Sequence, residues 1–217
     1  MQKKIDGSVL QKVDQEVAKV FPVSNIGILK WRDTKRPEKV EVCTVTLINA
    51  KFAVTAKHCT QDLNDTKNIQ YIFRIGNTKE TQFDYDIDDI IEFEGVDVSL
   101  VKISPAKSAS NINEYPTLSV PSESDLKTIS VYGYPVSSPN LDLHFSQCSA
   151  KRDADPLLIT HFCSTEVGVS GAPIISVDQS GGYKIIGIHS GSNFFSGNRA
   201  TILTDLLLQN INSELSK

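Results

Sequence analysis

Thr55-Ala56-Lys57-His58-Cys59, Asp97-Val98-Ser99-Leu100-Val101 and Gly168-Val169-Ser170-Gly171-Ala172-Pro173, in that order, govern the reading of this chain. A serine hydroxyl is a poor nucleophile at neutral pH and needs a base to take its proton. The base in turn needs an acceptor that fixes its tautomer and stabilises the cation it becomes. His58, Asp97 and Ser170 are residues of the right types for those roles. His58 follows the β-prone run 52–56 after one residue, Lys57, and Asp97 directly precedes the apolar run 98–103. Ser170 lies between Gly168 and Gly171, where glycines let the backbone turn tightly and aim the N–H groups of Gly168 and Ser170 at one point. Each signal alone is weak. A His beside a Cys is usually structural, and Gly-x-Ser-Gly fits many turns. An acid among Asp84, Asp86, Asp88, Asp89 and Glu94 is usually just solvated. Their co-occurrence in one order is what carries weight.

The bulk numbers narrow the class. A chain of 217 residues fits one globular domain or two small packed ones. A net charge of -4 with interspersed signs argues against a nucleic-acid partner. No apolar run approaches the roughly 20 residues that span a bilayer. Met1-Gln2-Lys3-Lys4 has the basic start of a signal peptide, but Asp6, Lys12, Asp14 and Glu16 interrupt any apolar segment after it. The four cysteines fall into two local couples, Cys43 with Cys59 and Cys148 with Cys163. Each couple flanks segments expected to be neighbouring strands, which favours pairing within couples. Buried free thiols are the open alternative. No Cys-x-x-Cys or close Cys/His cluster calls for a metal.

Residues 8–20 carry Leu10, Val13, Val17 and Val20 at helical spacing, which predicts an amphipathic helix ended at Phe21-Pro22. From residue 26 onward the pattern becomes short β-rich runs: 26–31, 41–48, 52–55, 69–75, 87–93 and 98–103. A connector rich in Ser, Asn and Pro covers 105–123. A second set follows at 129–134, 144–150, 157–163, 173–177, 183–189 and 199–203. Residues 204–215 read as a closing helix, with Leu206, Leu207, Ile211 and Leu215. Many short strands with turn signals between them predict an all-β protein, barrel or sandwich.

The segments Cys43-Thr44-Val45-Thr46-Leu47-Ile48, Thr55 to Cys59 and Gly168 to Pro173 resemble the chymotrypsin/trypsin-like serine peptidase family. Asp97-Val98-Ser99-Leu100 and Ile186-Gly187-Ile188-His189-Ser190-Gly191 add to the likeness, which runs from about residue 21 to the C-terminus. The His…Asp…Ser order is the one that family uses. The resemblance implies two packed six-stranded antiparallel β-barrels, chymotrypsin-like, to which the periodicity of the two ends adds an N-terminal and a C-terminal helix. With these helices, the resemblance divides the chain into a helical extension 1–22, a barrel 23–115 carrying His and Asp, and a barrel 116–217 carrying Ser. It makes His58 the general base, Asp97 its orienting partner and Ser170 the nucleophile, with Gly168 and Ser170 as the oxyanion hole. The Cys43–Cys59 couple matches the disulfide that staples the family's histidine loop. A serine endopeptidase acting on polypeptides is expected, with no cofactor or metal, no membrane association and a monomeric state. Two disulfides would place it outside the cytoplasm, secreted or periplasmic.

Departures refine the expectation. Val169 stands where digestive members have the aspartate that receives a new N-terminal amine, and no Ile-Val-Gly-Gly activation site is present. The site is therefore expected to form without an inserted N-terminus, as in bacterial glutamyl-endopeptidase-like relatives. Lys57 replaces the usual alanine and reads as surface variation. Ser164 stands where basic-specific members place a carboxylate. His189 matches the histidine that contacts the P1 side chain in glutamyl endopeptidases, and Thr165 and Ser192 match its hydroxyl partners. Cleavage after Glu, with Gln second, follows from the resemblance. Ser190 to Ser192 are expected to pair with extended substrate backbone. His144 and His161 have no such context and read as structural. The competing readings are a catalytically silent homologue acting as a binding module, and an esterase using the same triad.

Overall fold

The computed structural model describes residues 9–63, 69–76, 83–105, 112–178, 180–193 and 197–217, less the side chains of Pro105 and Asn193. Among these residues, fifteen strands and two α-helices follow in chain order: β1 Gln11–Lys12, α1 Gln15–Ala18, β2 Ile26–Asp33, β3 Val40–Leu47, β4 Phe52–Thr55, β5 Ile69–Ile75, β6 Phe83–Glu92, β7 Ser99–Pro105 and β8 Thr117–Leu118. Then come β9 Ile129–Gly133, β10 His144–Cys148, β11 Ala150–Arg152, β12 Leu158–His161, β13 Pro173–Val177, β14 Tyr183–Asn193, β15 Gly197–Ile202 and α2 Asp205–Leu215. Strands β2-β3-β4-β7-β6-β5 close into a barrel. Its interior is filled by Ile26, Leu29, Val45, Leu47, Val54, Phe73, Ile75 and Leu100, all essentially fully buried. On β6 the alternation Phe83-Asp84-Tyr85-Asp86-Ile87 turns the carboxylates to solvent, where Asp84 pairs with Arg74 at 2.5 Å.

The second half is a curled sheet of order β1-β10-β9-β13-β14-β15-β12-β11, with β8 parallel to β14. The expected closed second barrel is realised differently. The run 144–150 is not one strand but two, broken at Ser149, so that β10 pairs with β9 while β11 pairs with β12. The curl is completed by the chain itself at that bend. Phe162 donates its N–H to the Ser149 carbonyl at 3.2 Å, and the Cys148–Cys163 disulfide clasps the same corner. A second apolar cluster, including Ile129, Val131, Ile159, Val169, Ile174 and Ile186, fills this half.

The N-terminal helix is much shorter than its periodicity predicts, and Ser8 lies outside the described residues. Gln11 and Lys12 pair as a strand with β10, and Val13 continues the ladder by donating to the Leu143 carbonyl at 2.9 Å. Helix starts only where the Asp14 carboxylate accepts from the Glu16 N–H at 2.8 Å. An open sheet edge offers more backbone pairing than an isolated amphipathic turn, so Val13 is buried while Val17 and Val20 stay exposed. The C-terminal helix forms as expected. Thr204 caps it by accepting from the Leu207 N–H at 3.2 Å, and Leu207 and Ile211 face the core.

The Cys148–Cys163 bridge spans a separation of 15 residues. Loop-closure entropy for a loop of that size corresponds to about 3 kcal/mol. The double variant Cys148→Ala/Cys163→Ala is expected to lose about that much in urea-unfolding free energy; an unchanged unfolding curve would contradict the clasp.

Candidate active site

His58 sits on a single 3-10 turn, Lys57–Cys59, that leaves the end of β4. Two restraints fix this turn. Cys59 is disulfide-bonded to Cys43 on β3, and the Thr60 hydroxyl meets the Ser99 hydroxyl at 3.1 Å in the interior. Thr55 is the register partner of Ser99, so the turn after β4 faces the residues just before β7. Asp97 is there. One of its carboxylate oxygens accepts the His58 backbone N–H at 2.9 Å, and the other meets the ring Nδ1 at 2.8 Å. An ionised carboxylate can only accept, so Nδ1 carries the proton and Nε2 keeps its lone pair. Burial raises the Asp97 pKa, but the His58 ring and backbone N–H groups and the Ser190 hydroxyl more than offset this and hold it below its ordinary value. Lys57, beside the histidine, is drawn away to Glu92 at 3.2 Å.

Ser170 lies on the turn that precedes β13. Thr44 of β3 holds this turn twice: its N–H donates to the Ser170 carbonyl at 2.7 Å and its hydroxyl to the Gly168 carbonyl at 3.0 Å. Both carbonyls are thereby turned toward the first barrel. Among the described residues the N–H groups of Gly168 and Ser170 have no acceptor, whereas those of Val169 and Gly171 are taken by Glu166 and His189. Two free backbone donors flanking a serine hydroxyl form a ready receptor for a developing oxyanion. Gly171 has φ +82, and a Cβ there would lie 2.1 Å from Thr55 Oγ1 and 2.2 Å from the Thr44 carbonyl. The glycine is what lets the turn press against β3 and β4. The Ser170 hydroxyl itself makes no hydrogen bond among the described residues, so it is linked to His58 through this frame rather than directly. Val169 is buried in the second apolar cluster, consistent with a turn that needs no buried ion pair.

The pocket residues expected from the sequence fall on two neighbouring segments. Ser164 and Thr165 follow Cys163, and the Ser164 N–H donates to the Ser146 hydroxyl at 3.0 Å. His189, Ser190 and Ser192 lie on β14, with Ser190 turned to Asp97 and Ser192 exposed. Asn198 joins the two segments: it is the register partner of Ser192 on one side and of His161 on the other, and its side chain donates to the Cys163 carbonyl at 2.6 Å. His189 is buried, and burial, with repulsion from His58 next, pushes its pKa down to about 4. Its Nδ1 lies 3.0 Å from Nε2 of His161. Sequence reasoning missed Thr44, Asn198 and the contact between His161 and His189. Nothing local marks Thr44 or Asn198, and the histidine pairing shows only once β12 and β14 are known to flank β15.

The Trypsin family profile matches residues 29–207, and the chain belongs to that family, whose members are hydrolases of the serine peptidase type. No curated protein sequence matches significantly. Among solved structures, one titled a Glu endopeptidase in complex with MPD superposes with TM-score 0.74 at 18% identity, covering 99% of this chain and 100% of that one. A thermostable serine protease, AL20, from an extremophilic microorganism superposes with TM-score 0.69 at 16% identity, covering 89% and 98%. These likenesses establish the chymotrypsin-like fold.

Gly171→Ala puts a methyl group against the Thr44 carbonyl in a left-handed backbone conformation. It is expected to destabilise the protein by about 2 kcal/mol or more, read as a lowered urea midpoint. Full retention of stability would mean that the turn does not pack on β3 as described.

Proposed function

We propose that this chain is an endopeptidase in which Ser170 attacks the scissile carbonyl, His58 is the general base and Asp97 holds His58 in the productive tautomer. The observation that carries this reading is the double engagement of Asp97, which receives both the backbone N–H and the ring Nδ1 of His58. As Ser170 Oγ bonds to the carbonyl carbon, its proton passes to His58 Nε2, and the imidazolium that results faces an ionised carboxylate. The carbonyl oxygen becomes an oxyanion, received by the N–H groups of Gly168 and Ser170. His58 then protonates the leaving amine, and water hydrolyses the acyl-enzyme by the same route. Each oxyanion donor is worth about 3 to 4 kcal/mol in the transition state.

Pocket chemistry supports cleavage after Glu, with Gln second. Ser164 offers no carboxylate to a basic P1 side chain, while His189, Thr165 and Ser192 offer N–H and O–H donors to an acceptor oxygen. The edge from Ser190 to Ser192 is suited to pairing with extended substrate backbone. A second reading, a catalytically silent homologue that only binds polypeptides, is favoured by one observation: the Ser170 hydroxyl is not hydrogen-bonded to His58.

A serine-directed phosphonate separates the two readings. It is expected to label Ser170 in the wild type, to give no label in Ser170→Ala and to label His58→Ala at least about 1,000-fold more slowly. An unlabelled wild type would favour the silent homologue. In a peptide-library profile, hydrolysis by the wild type is expected to peak at P1 Glu. A maximum at Arg, Lys or Phe would overturn the pocket assignment while leaving the triad standing.

A further inference from the structure

His161 on β12 and His189 on β14 reach toward each other across β15, the strand paired to both. Their rings are 5.1 Å apart and nearly perpendicular, and both are buried. Burial lowers both pKa values, that of His161 well below its ordinary value, so each ring is neutral near pH 7 and carries one N–H. A 3.0 Å contact between two neutral imidazoles holds one proton, which leaves two arrangements. In the first, His161 Nε2–H donates to His189 Nδ1, and the proton of His189 resides on Nε2. In the second, His189 Nδ1–H donates, and the proton of His161 is forced onto Nδ1.

The surroundings distinguish the two. Among the described residues His161 Nδ1 is buried with no hydrogen-bond partner, and a nitrogen of this ring lies within 4.8 Å of both sulfurs of the Cys148–Cys163 disulfide. The second arrangement would bury an orphaned N–H there, whereas the first leaves only an unused lone pair; orphaned buried donors are the rarer case. The Arg199 carbonyl also acts on the His189 ring as an acceptor, and only in the first arrangement does His189 carry an N–H, on Nε2, to offer it. The titratable neighbours that act on His189 are His58 and Asp97, with opposing effects.

We propose that His161 is a positioning residue that fixes His189 as its Nε2–H tautomer, a neutral donor that a P1 side chain ending in an acceptor oxygen engages in place of the Arg199 carbonyl. The selectivity half of this inference rests on reading His189 as the P1 contact; the tautomer half does not. It accounts for Gln as the second choice, because a neutral N–H serves an amide carbonyl as well as a carboxylate.

The test combines spectroscopy with kinetics on the full chain. Nitrogen-15 imidazole shifts of Ser170→Ala, without substrate, are expected to show both His161 and His189 protonated at Nε2. An Nδ1–H signature for His189 would overturn the proposal, whatever the enzyme cleaves. With peptides differing only at P1, His161→Phe is expected to raise KM for P1 Glu and P1 Gln about tenfold with little change in kcat. His161→Gln, which keeps a donor near the position of Nε2, is expected to restore most of the loss. Equal kinetics for wild type and His161→Phe would refute the positioning role. Should the wild type prefer a P1 residue without an acceptor oxygen, the pocket reading fails, and with it the selectivity half, while the shifts still decide the tautomer.

Discussion

The two hydrogen bonds from Thr44 to the carbonyls of Ser170 and Gly168 are the joint on which the site depends. One half of the molecule carries His58 and Asp97; the other carries Ser170. Relative placement of the two cannot come from either hydrophobic cluster alone, because apolar burial is not directional. Thr44 supplies direction. Its carbonyl is capped by the Thr55 hydroxyl at 2.7 Å, and its hydroxyl also accepts the Tyr134 N–H at 3.1 Å. Every polar group of this residue is therefore engaged, with the side chain fully buried. Loss of one partner in such a network leaves others unsatisfied, which costs more than the net worth of a single bond.

Two pairs built around histidine show how environment divides one residue type between two tasks. His58 is well exposed and its partner is a carboxylate, so a proton arriving on Nε2 meets a stabilising charge. His189 is enclosed and its hydrogen-bond partner is another neutral ring, so a proton arriving there meets desolvation and the repulsion of His58. The first arrangement suits a group that must gain and lose a proton. The second suits a group that must present an N–H without changing charge. The dry setting of the second pair holds both of its rings neutral.

The elements that could be read from the sequence are those with a local cause. Strand β4 and strand β13 show as β-prone runs, and the spacing of Leu206, Leu207, Ile211 and Leu215 shows the closing helix, whose first turn Thr204 caps. The order of His58, Asp97 and Ser170 carried the family. What could not be read depends on partners far away in the chain. The stripe Leu10, Val13, Val17, Val20 has helical spacing, but an open edge at β10 recruits Gln11 and Lys12 as strand instead. The second barrel's broken strand turns on Ser149, a residue with no distinctive local signal. His161 reads as structural in one dimension, because its role depends on which strand lies beside β12. Thr44 looks like any strand threonine until the turn it holds is seen.

Val169 gives the turn apolar packing at the position where the resemblance places an aspartate in digestive members of the family. Its side chain packs at a site where a Cβ on Gly133 would come within 2.8 Å of it, so that glycine makes room for the valine. Apolar contact on one side of the turn and the Thr44 bonds on the other hold Gly168 at φ +97, the conformation that keeps its N–H free. Neither restraint contains a titratable group. In the proposed mechanism the receptor for the oxyanion is thus set by packing and neutral hydrogen bonds, and its shape does not depend on the charge state of any group in the turn. Proton movement in that mechanism is left to His58, which Asp97 holds in place.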